Sequence, residues 1–132
     1  MSQASFPPRA RLRNAAEFRA VFAQGDKTVC PGFVLIAAAG DGQPARLGLA
    51  LAKRRIARAV DRNRIKRVLR ESFRHARPEL GSVDVVVLAR SRTAAMDNKA
   101  LFAQLAGVWP RVARNAAPVA ALDAAAGGDR QR

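Results

Sequence analysis

Acidic residues are scarce in this chain of 132, where ten Asp and Glu face 24 Lys and Arg. Tyrosine is absent, and cysteine, histidine and tryptophan occur once each. Each shortage excludes something. A lone Cys30 cannot form an intramolecular disulfide, which fits a reducing compartment. A lone His75 and singly scattered carboxylates give neither a zinc pattern nor an obvious general acid/base pair. No Walker loop and no dinucleotide-binding glycine fingerprint is present. No apolar run approaches the roughly 20 residues of a membrane span. Arg9, Arg11 and Arg13 are not followed by an apolar stretch of signal-peptide length, so a cytoplasmic protein is expected.

What is abundant is positive charge, +14 net with a pI near 11.8. Twenty of the 24 cations are arginine, whose fork suits phosphates and base faces. Such a surplus repels itself and attracts polyanions, so a phosphate-rich partner is expected. Apolar residues make up 49%, the usage of a single folded domain.

Asn14 and Glu17 have the spacing of a helix capping box, and Phe18, Val21 and Phe22 then share a face. Gly25 is placed to end this helix in a left-handed conformation. A short strand over Lys27–Cys30, a Pro31-Gly32 turn and the apolar run Phe33–Ala37 follow. Gly40–Pro44 reads as the turn of a hairpin into the alternating Leu47, Leu49 and Leu51. Between Lys53 and Arg70 nine of 18 residues are basic and only Asp61 is acidic. Starting in that segment and running past it, Ile65, Val68, Leu69, Phe73 and Ala76 mark a buried helical stripe, with Asn63, Arg67, Arg70 and Arg74 opposite. Val83–Ala89 is the clearest strand. A last helix is expected from about Asp97 through Leu101, Leu105, Val108 and Trp109, ended or kinked at Pro110. Phe33, Phe73 and Trp109 are assigned to the core, and the Ala- and Gly-rich stretch 115–132 to a mobile tail.

The elements therefore run α-β-β-β-α-β-α, an α+β two-layer sandwich with a mixed four-stranded sheet and three helices. General handedness rules predict a right-handed crossover through the basic helix if the strands it joins are parallel. Residues 1–8 are read as an extension and 9–114 as the domain.

Arg62-Asn63-Arg64-Ile65-Lys66-Arg67, followed by Arg70, resembles the RNR signature of the protein subunit of bacterial ribonuclease P. The likeness continues, in order and spacing, through Arg11-Leu12-Arg13, Glu17-Phe18, Val21-Phe22, Gly25, Phe33-Val34-Leu35, Leu47-Gly48-Leu49, Lys53-Arg54 and Val85–Arg90. It covers roughly residues 9 to 112. The resemblance implies an RNA-binding module whose catalytic RNA removes the 5′ leader of precursor tRNA with Mg²⁺ held mainly by the RNA. It implies no catalytic residue and no metal ligand in the protein, and no membrane or obligatory protein partner is evident. By position it assigns Arg62, Asn63, Arg64, Lys66, Arg67 and Arg70 to the ribonuclease P RNA, and Phe18, Phe22, Lys53 and Arg54 to the leader. It also implies a left-handed crossover, against the general rule.

An i, i+4 phenylalanine pair by itself reads as core packing, and that reading stands beside leader stacking for Phe18 and Phe22. Arg55 and Arg58 are equally well read as solvated charges. Ile36 departs from the family, where an aromatic residue is common on the open sheet face. Two other classes remain: a structural, ribosomal-type RNA-binding protein, and a metal nuclease in which Asp61, Glu71 and Asp84 converge.

Overall fold

The computed structural model describes residues 10–119. Helix α1 (Ala15–Gln24) leads into strands β1 (Asp26–Val29), β2 (Phe33–Ala39) and β3 (Arg46–Ala50). Helix α2 (Ala59–Ala76), strand β4 (Val83–Ala89) and helix α3 (Asn98–Ala113) complete the order. The first boundary is set by the capping box, with Asn14 accepting from the Glu17 N–H at 3.0 Å. Asp97 caps α3 in the same way, accepting from Ala100 at 2.8 Å.

The sheet order is β1-β2-β4-β3, with β3 parallel to β4 and the other pairs antiparallel. The expected β2–β3 hairpin is therefore not formed, because β4 lies between the two strands. The reason is in β4 itself: Val83, Val85, Val86 and Val87 are all fully buried. A strand apolar on both faces belongs at the centre of a sheet. The true hairpin joins β1 to β2 through Pro31-Gly32, closed by the Cys30 N–H donating to the Phe33 carbonyl at 2.9 Å. Helix α2 then carries the chain from β3 to its parallel neighbour.

Alternation along the strands divides the apolar residues between two faces. Phe33, Leu35, Leu47, Val83, Val85 and Val87 meet Ile65, Leu69 and Phe73 of α2 and Leu101, Leu105 and Trp109 of α3 in one large core. Phe73 and Trp109 pack edge to face with centroids 5.8 Å apart, and the indole N–H donates to Ser72 at 2.8 Å. On the other face Leu12, Val21, Ala38 and Val86 form a small cluster under α1, with Phe18, Ile36, Ala50 and Leu88 at its margin.

Two local expectations are corrected. Gly25 is extended rather than left-handed, at φ −84° and ψ 157°. It is required by crowding: a Cβ there would lie 2.6 Å from Ile36 Cγ2 and 2.7 Å from the Val21 carbonyl oxygen. Pro110 lies inside α3, which continues to Ala113. Burial of Trp109 and Val112 on either side holds this last turn against the core and offsets the missing N–H. Of the stretch 115–132, Ala117 exchanges two backbone hydrogen bonds with Ser82, at 2.8 and 2.9 Å. Residues 120–132 and residues 1–9 lie outside the described residues.

Candidate nucleic-acid interface

Helix α1 covers only part of its sheet face. It is fastened there by Arg46, which forks onto Asp84 at 2.9 and 2.8 Å and reaches Glu17 at 3.3 Å. The Arg13 N–H, then the Asn14 N–H and Arg46, hold the Glu17 carboxyl below its ordinary value, against some desolvation. The Phe18 ring rests on Gly48, where a Cβ would lie 2.7 Å from its Cζ. Two residues further along β3, at Ala50, the covering ends.

Beyond that point lies a cleft of about 470 Å³. Register places Val34 and Ala50 beside Leu88, and Ile36 next in line, so its floor is apolar. Its margin carries Lys27, Arg54, Arg55, Arg90 and Arg92, with no acidic residue in the lining. Two loops supply the arginines, and Arg55 spans them by donating to Ser91 Oγ at 3.0 Å. Arg90 is fixed by a 2.9 Å bond to the Cys30 carbonyl, and buried Thr93 accepts its backbone N–H. An apolar floor inside a cationic margin fits a single nucleic-acid strand, bases inward and phosphates at the edge. A larger hollow of about 600 Å³ between α2 and α3 has no Lys or Arg in its lining.

The sequence-assigned residues distribute unevenly around this cleft. Arg54 lines it, whereas Lys53 is exposed just before it. Phe18 is half-buried against the small cluster, and Phe22 is 44% exposed on the same helix, so the pair is divided between packing and solvent. On α2, Asn63 and Arg67 are exposed and Lys66 and Arg70 half-buried. Burial, and then the nearby charge of Arg11, push the Arg70 guanidinium below its usual pKa.

Arg62 and Arg64 turn inward. Arg62 Nη1 donates to the Ile56 and Ala57 carbonyls, both at 2.9 Å. Arg64 donates to the Met96 and Ala94 carbonyls at 3.1 Å and to Asn98 Oδ1 at 2.7 Å. Sequence reasoning did not find Lys27, Arg92, Val34, Ala50 or Leu88. The available signal was alternation: these apolar residues face away from the main core, and α1 is too short to cover all of them.

The carboxylates Asp61, Glu71 and Asp84 do not converge. Asp61 faces Arg58 at 3.9 Å, Glu71 meets Arg74 at 2.6 Å and His75 at 3.0 Å, and Asp84 meets Arg46. Among the described residues no three His, Cys, Asp or Glu gather to hold a metal ion. No helix among them is long and apolar enough to cross a membrane.

A mixed α+β domain with a cation-rimmed cleft and an arginine-rich helix is the architecture of a protein built to meet RNA. The family model "Ribonuclease P" matches residues 6–113, and the chain belongs to that family. The ribonuclease P protein component of Thioalkalivibrio sulfidiphilus is 43% identical over 107 residues, covering 81% of this chain and 89% of its own. The RNase P protein of Staphylococcus aureus superposes with a TM-score of 0.71 at 26% identity, covering 77% of this chain and 94% of its own. That of Thermotoga maritima gives 0.68 at 25%, covering 76% and 96%.

Proposed function

We propose that this protein, as the protein component of ribonuclease P, binds the catalytic RNA through α2 and seats the 5′ leader of precursor tRNA in the cleft, promoting 5′ maturation of tRNA. The observation that carries the leader assignment is the cleft's composition. Val34, Ile36, Ala50 and Leu88 offer bases an apolar surface without fixed donors or acceptors, and five cations surround it. Such a groove accepts leaders of differing sequence. Phe22 adds an exposed ring on α1, Phe18 sets the height of that helix above β3, and Lys53 extends the positive margin marked by Arg54.

Asn63, Lys66, Arg67 and Arg70 present the outward face of α2 to the ribonuclease P RNA. Arg62 and Arg64 keep unused N–H donors beside their internal bonds, since a guanidinium carries five. Asn63 both donates and accepts, which arginine cannot. The reading leaves Mg²⁺ mainly to the RNA and gives the protein no catalytic residue. The site of action is the cytoplasm, without an obligatory protein partner. The left-handed β3–α2–β4 crossover belongs to the same reading.

The test is leader release from precursor tRNA at low Mg²⁺, with the protein alone, a bacterial ribonuclease P RNA alone, and both. Cleavage is expected to be fast only in the combined reaction. The protein's RNA affinity is expected to fall with salt at a logarithmic slope of about −0.7 per phosphate neutralised on a single strand. No enhancement by the protein would reduce it to a structural RNA-binding protein. Cleavage by the protein alone would overturn the division of labour.

A further inference from the structure

Arg62 and Arg64 are two positions apart on α2, so their side chains leave the helix roughly 200° apart at 100° per residue. Each therefore reaches a different loop. Arg62 clasps Ile56 and Ala57, directly after the cleft residues Arg54 and Arg55 in the loop that follows β3. Arg64 clasps Ala94, Met96 and Asn98, just after the cleft residues Arg90 and Arg92 in the segment that follows β4. The two loops leave the same end of parallel neighbours and meet through Arg55 and Ser91 at 3.0 Å. Neither loop has a ladder of its own. The first is held by Ile56 in the core and by the Arg55 and Ile56 N–H groups donating to Ala52; the second is held at its start by Arg90 on the Cys30 carbonyl and by buried Thr93 donating to the Gly32 carbonyl, and Arg64 takes over beyond Thr93. Helix α2 also begins without a side-chain cap at Arg58, so the Arg62 bonds to Ile56 and Ala57 tie down its entry.

We infer that Arg62 and Arg64 are positioning residues that hold in place the two loops carrying Arg54, Arg55, Arg90 and Arg92, so that the helix facing the catalytic RNA also sets the cationic margin of the groove for the leader. This rests on the leader reading above. The groups left to contact RNA first are Asn63, Lys66, Arg67 and Arg70. Arg64 uses two nitrogens on three acceptors, which a single compact ammonium does not span. Arg62 uses Nη1 alone on two carbonyls, a pair that a three-donor ammonium can also bridge, so its clasp is removed only by a side chain without donors.

The experiment uses Arg62→Met and Arg64→Lys in the holoenzyme reconstituted with a bacterial ribonuclease P RNA. KM is compared for precursors carrying a long leader and a single-nucleotide leader, and binding of the RNA alone is measured beside it. The expected result is a KM raised about tenfold for the long leader, a much smaller change for the short one, and a smaller loss of RNA affinity, least in Arg64→Lys, which retains the charge. Ala50→Glu, which puts a carboxylate on the cleft floor, is the control for the leader reading itself. If Ala50→Glu discriminates between leaders and the two arginine variants do not, the positioning role is overturned and the leader cleft stands. If Ala50→Glu does not discriminate, the leader reading fails. Amide exchange in the free protein then decides the clasp alone: faster exchange at Ile56 in Arg62→Met and at Met96 in Arg64→Lys supports it, and unchanged exchange overturns it. An RNA-affinity loss as large as the KM change would overturn it too, making these arginines direct phosphate contacts.

Discussion

The two faces of the sheet are built from the same strands and finished differently. On one, every large side chain of β2, β3 and β4 meets α2 or α3, and Phe33, Leu35, Val85 and Val87 are fully buried. On the other, α1 covers the half bearing Ala38, Gly48 and Val86 and leaves Val34, Ile36, Ala50 and Leu88 in an open cleft. The closed face keeps the large residues and the open face many of the small ones. This division separates stability from recognition: apolar area left exposed on the open face contributes little to folding and is available to a ligand.

The contrast breaks most sharply at Phe73, which is completely buried against Trp109. Phe73→Ala is expected to cost about 3–5 kcal/mol, read by chemical denaturation. An equal loss from Phe22→Ala would erase the distinction between the faces. Gly48→Val comes next, because its side chain would enter the space of Phe18. A destabilisation of about 1–3 kcal/mol is expected, with α1 losing amide protection before the main core does. Ile36→Phe sharpens the comparison from the other direction by placing a ring on the cleft floor. It is expected to tighten binding of a leader oligonucleotide by up to about 1 kcal/mol, seen in fluorescence titration, since stacking is worth about 1–3 kcal/mol per base.

The smallest effect concerns pH. Because the native Glu17 carboxyl lies below its ordinary value of 4.5, its contribution is complete above that pH and disappears as pH falls through the lowered native value. Glu17→Gln is therefore expected to lower stability slightly at pH 7, by less than about 1 kcal/mol in urea unfolding, and to converge with the parent in acid. A constant difference across pH would show that the side chain's shape matters and its charge does not.

The closed face was legible in the sequence because its signals are periodic. The stripe Ile65, Val68, Leu69, Phe73 and the alternation through β2 and β4 have one interpretation each, and Phe33, Phe73 and Trp109 lie where those periods put them. Strand order was less legible. Gly40–Pro44 has the composition of a hairpin turn, and only the double-sided burial of β4 decides that it is not one. The open face was hardest to read, since its floor residues look like ordinary strand alternation and its cations come from β1 and from loops distant in sequence. The inward turn of Arg62 and Arg64 was also hidden, because a charge run has the same letters whether it faces solvent, RNA or a carbonyl.

The pairing of Ser82 with Ala117 has a practical side. Ser82 also accepts the Gly40 N–H on its carbonyl and the Gly42 N–H on its hydroxyl, so the chain after α3 is tied in at the start of β4. The cleft lies at the other end of that strand, seven residues away, or about 20 Å at roughly 3.3 Å per residue. A fluorophore placed at Pro118, exposed beside this pairing, is therefore expected to report on assembly from outside the groove rather than compete for it.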